Sequence, residues 1–132
     1  QTYMDMKLTS NGGSSYHGDS SYNLASWRWY SNGSSTSTQI QYFNDFAGNA
    51  DQQISSSAAS GGLHAFVTVS NIGVASRTTF KSTYYAFGAN SYYIQTETVG
   101  AREDSSITVD GVKFNFRSGN ITSGTFKLFG VK

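Results

Sequence analysis

Leu63-His64-Ala65-Phe66-Val67-Thr68-Val69-Ser70 sets Leu63, Ala65, Val67 and Val69 on one side and His64, Phe66 and Thr68 on the other. Side chains of an extended chain point to opposite faces in turn, so this spacing predicts a strand with one face on a core. Outward from it the same period recurs. Arg77–Phe87 brings Phe80, Tyr84 and Ala86 into phase. Gly88-Ala89-Asn90 then reads as a hairpin connection into Ser91–Val99, where Tyr92 and Ile94 oppose Tyr93 and Gln95. On the other side, Gln1–Thr9 places Met4, Met6 and Leu8 against Tyr3, Asp5 and Lys7. Ser10–Ser15 reads as a turn or loop. Ala25–Tyr30 carries Trp27 and Trp29 on one face with Arg28 and Tyr30 opposite, Ser31–Ser37 loops around Asn32-Gly33, and Thr38–Phe43 is a short strand.

Four further stretches complete the pattern. Asn44–Gly62, rich in Ser, Ala, Gly, Asn and Asp, reads as a long connection with a little helix. Gly100–Ser105 holds Arg102, Glu103 and Asp104 and is expected to be a surface loop. Ile107–Phe116 has Val112, Phe114 and Phe116 in phase, with Asp110-Gly111 breaking it into a strand pair or a bulged strand. Ser118–Lys132 reads as a glycine turn feeding a terminal strand that closes a sheet, with Phe126 and Leu128 on one face and Thr125, Lys127 and Phe129 on the other. About eight short strands, turn signals between them and no 3.6-residue period predict an all-β fold. The expectation is a single antiparallel two-sheet β-sandwich over residues 1–132, jelly-roll-like, with little helix.

The 132 residues suit one domain with its own core. With 0 Cys, disulfides and thiolate metal sites are excluded; with 0 Pro, turns fall to the 14 Gly and to Asn and Ser. A charged fraction of 13% and a net charge of +1 supply no long-range field to gather nucleic acid or anionic lipid. The basic residues Arg28, Lys81, Arg102, Lys113 and Arg117 are scattered, so no nucleic-acid partner is expected. No apolar run reaches membrane-spanning length, and no signal peptide opens the sequence, so no membrane partner is expected either.

Several groups have the composition of chemical sites. His17-Gly18-Asp19 sets an imidazole near a carboxylate, as a general base needs. No motif marks a nucleophile, and Gly-x-Ser-x-Gly does not occur, so an ordinary polar loop is the simpler reading. Glu97, Glu103 and Asp104 are candidate glycosidase carboxylates, against a solvated strand face for Glu97. Asn44–Asp51 offers oxygen ligands for calcium, but its spacing is not that of an EF-hand and Asn and Asp suit turns anyway. The expectation is a protein that is not an enzyme, with no cofactor and no metal.

The aromatics are 15% of the chain, and Trp27 and Trp29 share a face. The pair reads first as core packing; the alternative is stacking on sugar rings or docking on a protein. Tyr16, Tyr22, Tyr30, Tyr85 and Tyr93 are expected outside. Tyr16, His17, Tyr22 and Trp29 are the candidates for contact with a glycan or a partner.

Three segments carry a resemblance. Gln1-Thr2-Tyr3-Met4-Asp5-Met6-Lys7-Leu8 looks like a Gln-Thr-Tyr-Thr-Asp-Leu-x-Leu strand, and Ser106–Phe114 is similar to an Ala-Ile-Thr-Ser-Ile strand. Ser118-Gly119-Asn120 followed by Gly124–Lys132 resembles a close of the form Ser-Gly-Asn … Gly-Thr/Ser-x-x-Leu-Tyr-Gly-Ile-Lys. The set resembles a family of small structural proteins of tailed bacteriophages, found in marine and environmental phages. Members open with a further strand ahead of Gln-Thr-Tyr and carry an Arg-x-Asn-Gly-Asp segment; this sequence has neither. The resemblance implies a jelly-roll-like protein of the virion surface, of the capsid decoration or tail or head fibre type. Its partners would be other capsid or tail proteins and further copies of itself, a trimer in the simplest case. The alternative it leaves open is a fibre module that recognises a host surface glycan. It implies no catalytic residue.

Overall fold

The computed structural model describes residues 4–17, 22–31, 34–41, 45–47, 62–87, 93–102, 105–116 and 123–130. Among them are eight strands: β1 Met4–Thr9, β2 Tyr22–Tyr30, β3 Ser35–Gln41, β4 Asp45–Ala47, β5 Leu63–Ser70, β6 Thr79–Phe87, β7 Tyr93–Arg102 and β8 Gly111–Phe116. No described residue is helical. The strands form two antiparallel sheets, ordered β4-β1-β8 and β3-β2-β7-β6-β5, which pack face to face as a β-sandwich. The pairings β1/β8 and β2/β7 are nested, as in the outer turns of a jelly roll. Inside them the roll gives way to hairpin pairings, β3 on β2 and β6 on β7.

The core lies between the sheets. Met4, Met6 and Leu8 of β1 meet Leu24 of β2, Phe80, Tyr84 and Ala86 of β6, and Val109. Leu63, Val67 and Val69 of β5 and Val112, Phe114 and Phe116 of β8 pack half-buried around this cluster. The predicted phases of β1, β5, β6 and β8 are therefore the observed ones. Each fully buried Leu or Met contributes about 1.5–3 kcal/mol.

Four expectations are corrected. First, Trp27 and Trp29 face outward, 43% and 44% exposed, while Arg28 between them is only 6% exposed. Pairing decides this: Arg28 lies opposite Thr96, and Thr96 opposite Tyr84, so all three share the inner face with the buried Tyr84 ring. Second, Arg102 is not in a surface loop. β7 runs on through Gly100 and Ala101 to Arg102, which pairs with Tyr22 and is 3% exposed. Third, only Gly111–Phe116 of the Ile107–Phe116 stretch is a strand. Asp110 instead accepts a hydrogen bond on Oδ2 from the Gly12 N–H at 2.9 Å, fixing the turn after β1, where Gly12 and Gly13 both have positive φ. Fourth, residues 123–130 are not in a sheet. Leu128 is 98% exposed, and the Phe126 ring stacks on Phe114, centroids 6.2 Å apart. Strand periodicity shows that a segment can pair; it does not supply the partner edge.

The predicted connection Asn44–Gly62 contains β4, which pairs with β1; Asn44 and residues 48–61 lie outside the described residues, and Gly62 is described. The strand predicted from Thr38 begins earlier, at Ser35, inside the predicted loop Ser31–Ser37; residues 42 and 43 lie outside the described residues.

Candidate functional site

The outer face of the five-stranded sheet gathers the exposed aromatics. Antiparallel register places residues side by side in rows across the strands. One row runs Trp27, Glu97, Thr83, Phe66. The next runs Trp29, Gln95, Tyr85, His64. Beyond it, Tyr93 stands opposite Phe87, with their rings edge to face at 5.0 Å. Ser31 closes this end: its N–H donates to the Tyr93 carbonyl at 2.9 Å, and its Oγ accepts from the Tyr93 N–H at 3.1 Å. The two rows in the other direction carry Ala25, Val99, Lys81 and Thr68, then Asn23, Ala101, Thr79 and Ser70. One half of the face thus carries the aromatics, and these two rows carry none.

Within the aromatic half the arrangement is ordered. β7 runs down the middle and presents half-buried Gln95 and Glu97. Trp27 and Trp29 flank them on the β2 side. Tyr85 of β6 and Phe66 of β5, the latter 74% exposed, flank them on the other. Neighbouring strands are about 4.8 Å apart, so Trp29 and Tyr85 stand roughly 10 Å apart with Gln95 between them.

The sequence candidates fall in two places. Trp29 is on this face. Tyr16 and His17 are on the chain following the β1 turn. Lys113 Nζ sits 4.9 Å above the Tyr16 ring, a cation–π contact. The His17 N–H donates to the Leu8 carbonyl at 2.9 Å, and Arg102 Nε–H donates to His17 Nδ1 at 3.0 Å. That bond leaves the imidazole proton on Nε2. A general base steered by an acid would instead donate Nδ1–H to a carboxylate. Gly18, Asp19, Glu103 and Asp104 lie outside the described residues. Tyr22 pairs with Arg102 at the start of β2, seven residues and so roughly 23 Å from Trp29. Tyr16, His17 and the start of β2 therefore gather around β1 and Arg102, and Trp29 is not with them.

The structure adds Trp27, Gln95, Glu97, Thr83, Tyr85 and Phe66 to Trp29. The outward phase of Phe66, Tyr85 and Gln95 is readable from alternation within β5, β6 and β7. Their alignment with β2 is not, because it depends on a pairing between strands more than sixty residues apart, as Trp27 and Glu97 are. Glu97 stands alone as a carboxylate in its row. Among the described residues no group of three or more His, Asp or Glu is placed to hold a metal ion, and no helix is long and apolar enough to cross a membrane.

No protein-family model, no curated protein and no solved structure matches the chain.

Proposed function

We propose that this chain is a structural module of a bacteriophage virion surface that works by docking to other virion proteins and to further copies of itself. The observation that carries the reading is the stretch 123–130. It has a strand's alternation, and Phe126, Leu128 and Phe129 are all exposed. Its Phe126 ring stacks on Phe114 of β8, an edge strand of the three-stranded sheet. An exposed apolar segment that belongs to neither sheet among the described residues, and that touches an edge strand, suits strand addition between chains. The virion context comes from the resemblance at the two ends of the sequence. A charged fraction of 13% suits close approach of faces, because few ions must be stripped of water.

The test uses Leu128→Lys. Leu128 touches almost nothing in one chain, so the variant should melt like the wild type. Light scattering after size exclusion is expected to give a multimer for the wild type and a monomer for the variant. A wild type that is monomeric at every concentration, and is not retained on purified phage particles, would sink the docking reading. Absence of the polypeptide from the mass spectrum of such particles would sink the virion assignment.

A further inference from the structure

We infer that the aromatic half of the outer sheet face is a binding site for an uncharged glycan chain, lying across the strands from Trp27 and Trp29 toward Tyr85 and Phe66. The inference does not depend on the virion assignment.

The order of groups on the face argues for a sugar. Protein interfaces place apolar residues at the centre and polar ones at the rim, and deplete charge from the middle. Here the order is inverted: Gln95 and Glu97 form a polar stripe down β7, with aromatic rings on both sides. A pyranose has the complementary shape, with C–H groups on its ring faces and hydroxyls around its edge. Rings of the ligand can stack on Trp29 and Tyr85 while the edge hydroxyls between them meet the Gln95 amide and the Glu97 carboxylate. Gln95 supplies both donors and acceptors and Glu97 two acceptor oxygens, which matches hydroxyls that donate and accept. Thr83 adds a hydroxyl in the Trp27 row. The charge on the face points the same way. Among the described residues the basic groups on this face are Lys81, one row beyond Glu97 and Thr83, and His64, at the end of the Trp29 row; they form no cluster over the rings, so an anionic polymer finds little counter-charge there. Stacking platforms of this kind need little rearrangement, because strand register already holds the rings.

The chain has 2 Trp, and both stand on this face, so tryptophan emission reports on the site alone. The full chain is titrated with cellohexaose, chitohexaose, maltohexaose and mannohexaose, all uncharged, up to millimolar concentration. At least one is expected to shift or quench the emission with saturation, and to be displaced by its own polysaccharide. Calorimetry with the same sugar is expected to show Trp29→Ala weakening binding at least about tenfold, the loss that about 1.4 kcal/mol of stacking produces. Gln95→Ala, which leaves the rings in place, is expected to weaken it as well, and Leu128→Lys to leave it unchanged. Circular dichroism on each variant separates lost binding from lost folding. No response to any of the four sugars, or equal affinity in a folded Trp27→Ala/Trp29→Ala variant, overturns the inference. Self-association that disappears in that double variant would also overturn it, by giving the face to a second copy of the chain.

Discussion

Gly100 shows how one residue shapes a sheet. It lies in β7 opposite Phe80, and a Cβ built on it would sit 2.5 Å from the Phe80 ring and 2.8 Å from the Asn23 carbonyl oxygen. The missing side chain lets the Phe80 ring cross the strand and close the core. Gly100→Ala is therefore expected to lower stability by about 1–3 kcal/mol, read as an earlier midpoint in urea with an unchanged slope. Thr96 poses the opposite case. It is buried on the inner face beside Arg28, and its Oγ1 finds no hydrogen-bond partner among the described residues; the same holds for Ser82 Oγ, Thr78 Oγ1 and Arg28 Nε. An unmet buried hydroxyl costs stability, so Thr96→Val, which keeps the shape, is expected to be neutral or stabilising by up to about 1 kcal/mol. A drop in melting temperature for Thr96→Val would mean that the hydroxyl is satisfied.

At the scale of elements, side chains and loops bind strands that do not follow one another. The chain after the β1 turn is pinned to the end of β7 by the bond from Arg102 Nε to His17 Nδ1, and Arg102 is pinned again by its N–H to the Thr78 carbonyl at 2.9 Å. His17→Ala removes an acceptor from a nearly buried guanidinium and is expected to cost about 1–3 kcal/mol. The measurement that checks it is thermal unfolding, with His17→Gln, which restores an acceptor, recovering part of the loss. The loop between β5 and β6 is fastened in the same manner: Asn71, at positive φ, donates Nδ2–H to the Arg77 carbonyl, and the Gly73 N–H donates to the carbonyl of Val109. The Arg102–His17 and Gly73–Val109 contacts have no signature in local sequence, since each joins residues brought together by the sheets; the Asn71–Arg77 bond lies within one loop. Reading Arg102 as a loop charge follows from its neighbours Glu103 and Asp104; burial follows from β7 continuing past Gly100.

For the whole molecule, the sandwich carries two separate exposed surfaces: the aromatic sheet face, and the 123–130 stretch whose Phe126 ring meets Phe114 of β8. They are separable. Leu128→Lys is expected to change the proposed association and spare the sheet face; Trp29→Ala is expected to change the proposed glycan binding and spare the stretch. Local sequence by itself determined the all-β class, because alternation at period two in Met4–Leu8, Leu63–Val69, Phe80–Ala86 and Val112–Phe116 is a property of the extended backbone and needs no partner. It also determined which face of those strands is dry, because in each of them one phase is markedly more apolar. β2 is different. Its Trp-Arg-Trp run offers large apolar surface on one face and one cation on the other, so hydrophobicity alone turns the tryptophans inward. Only tertiary pairing reversed it: β6 fixes the phase of β7, β7 fixes that of β2, and a register shift of one residue would flip every side chain of the strand. The sheet thus placed Arg28 inside and lined the tryptophans up with Gln95, Glu97 and Tyr85, and the candidate site exists through that register.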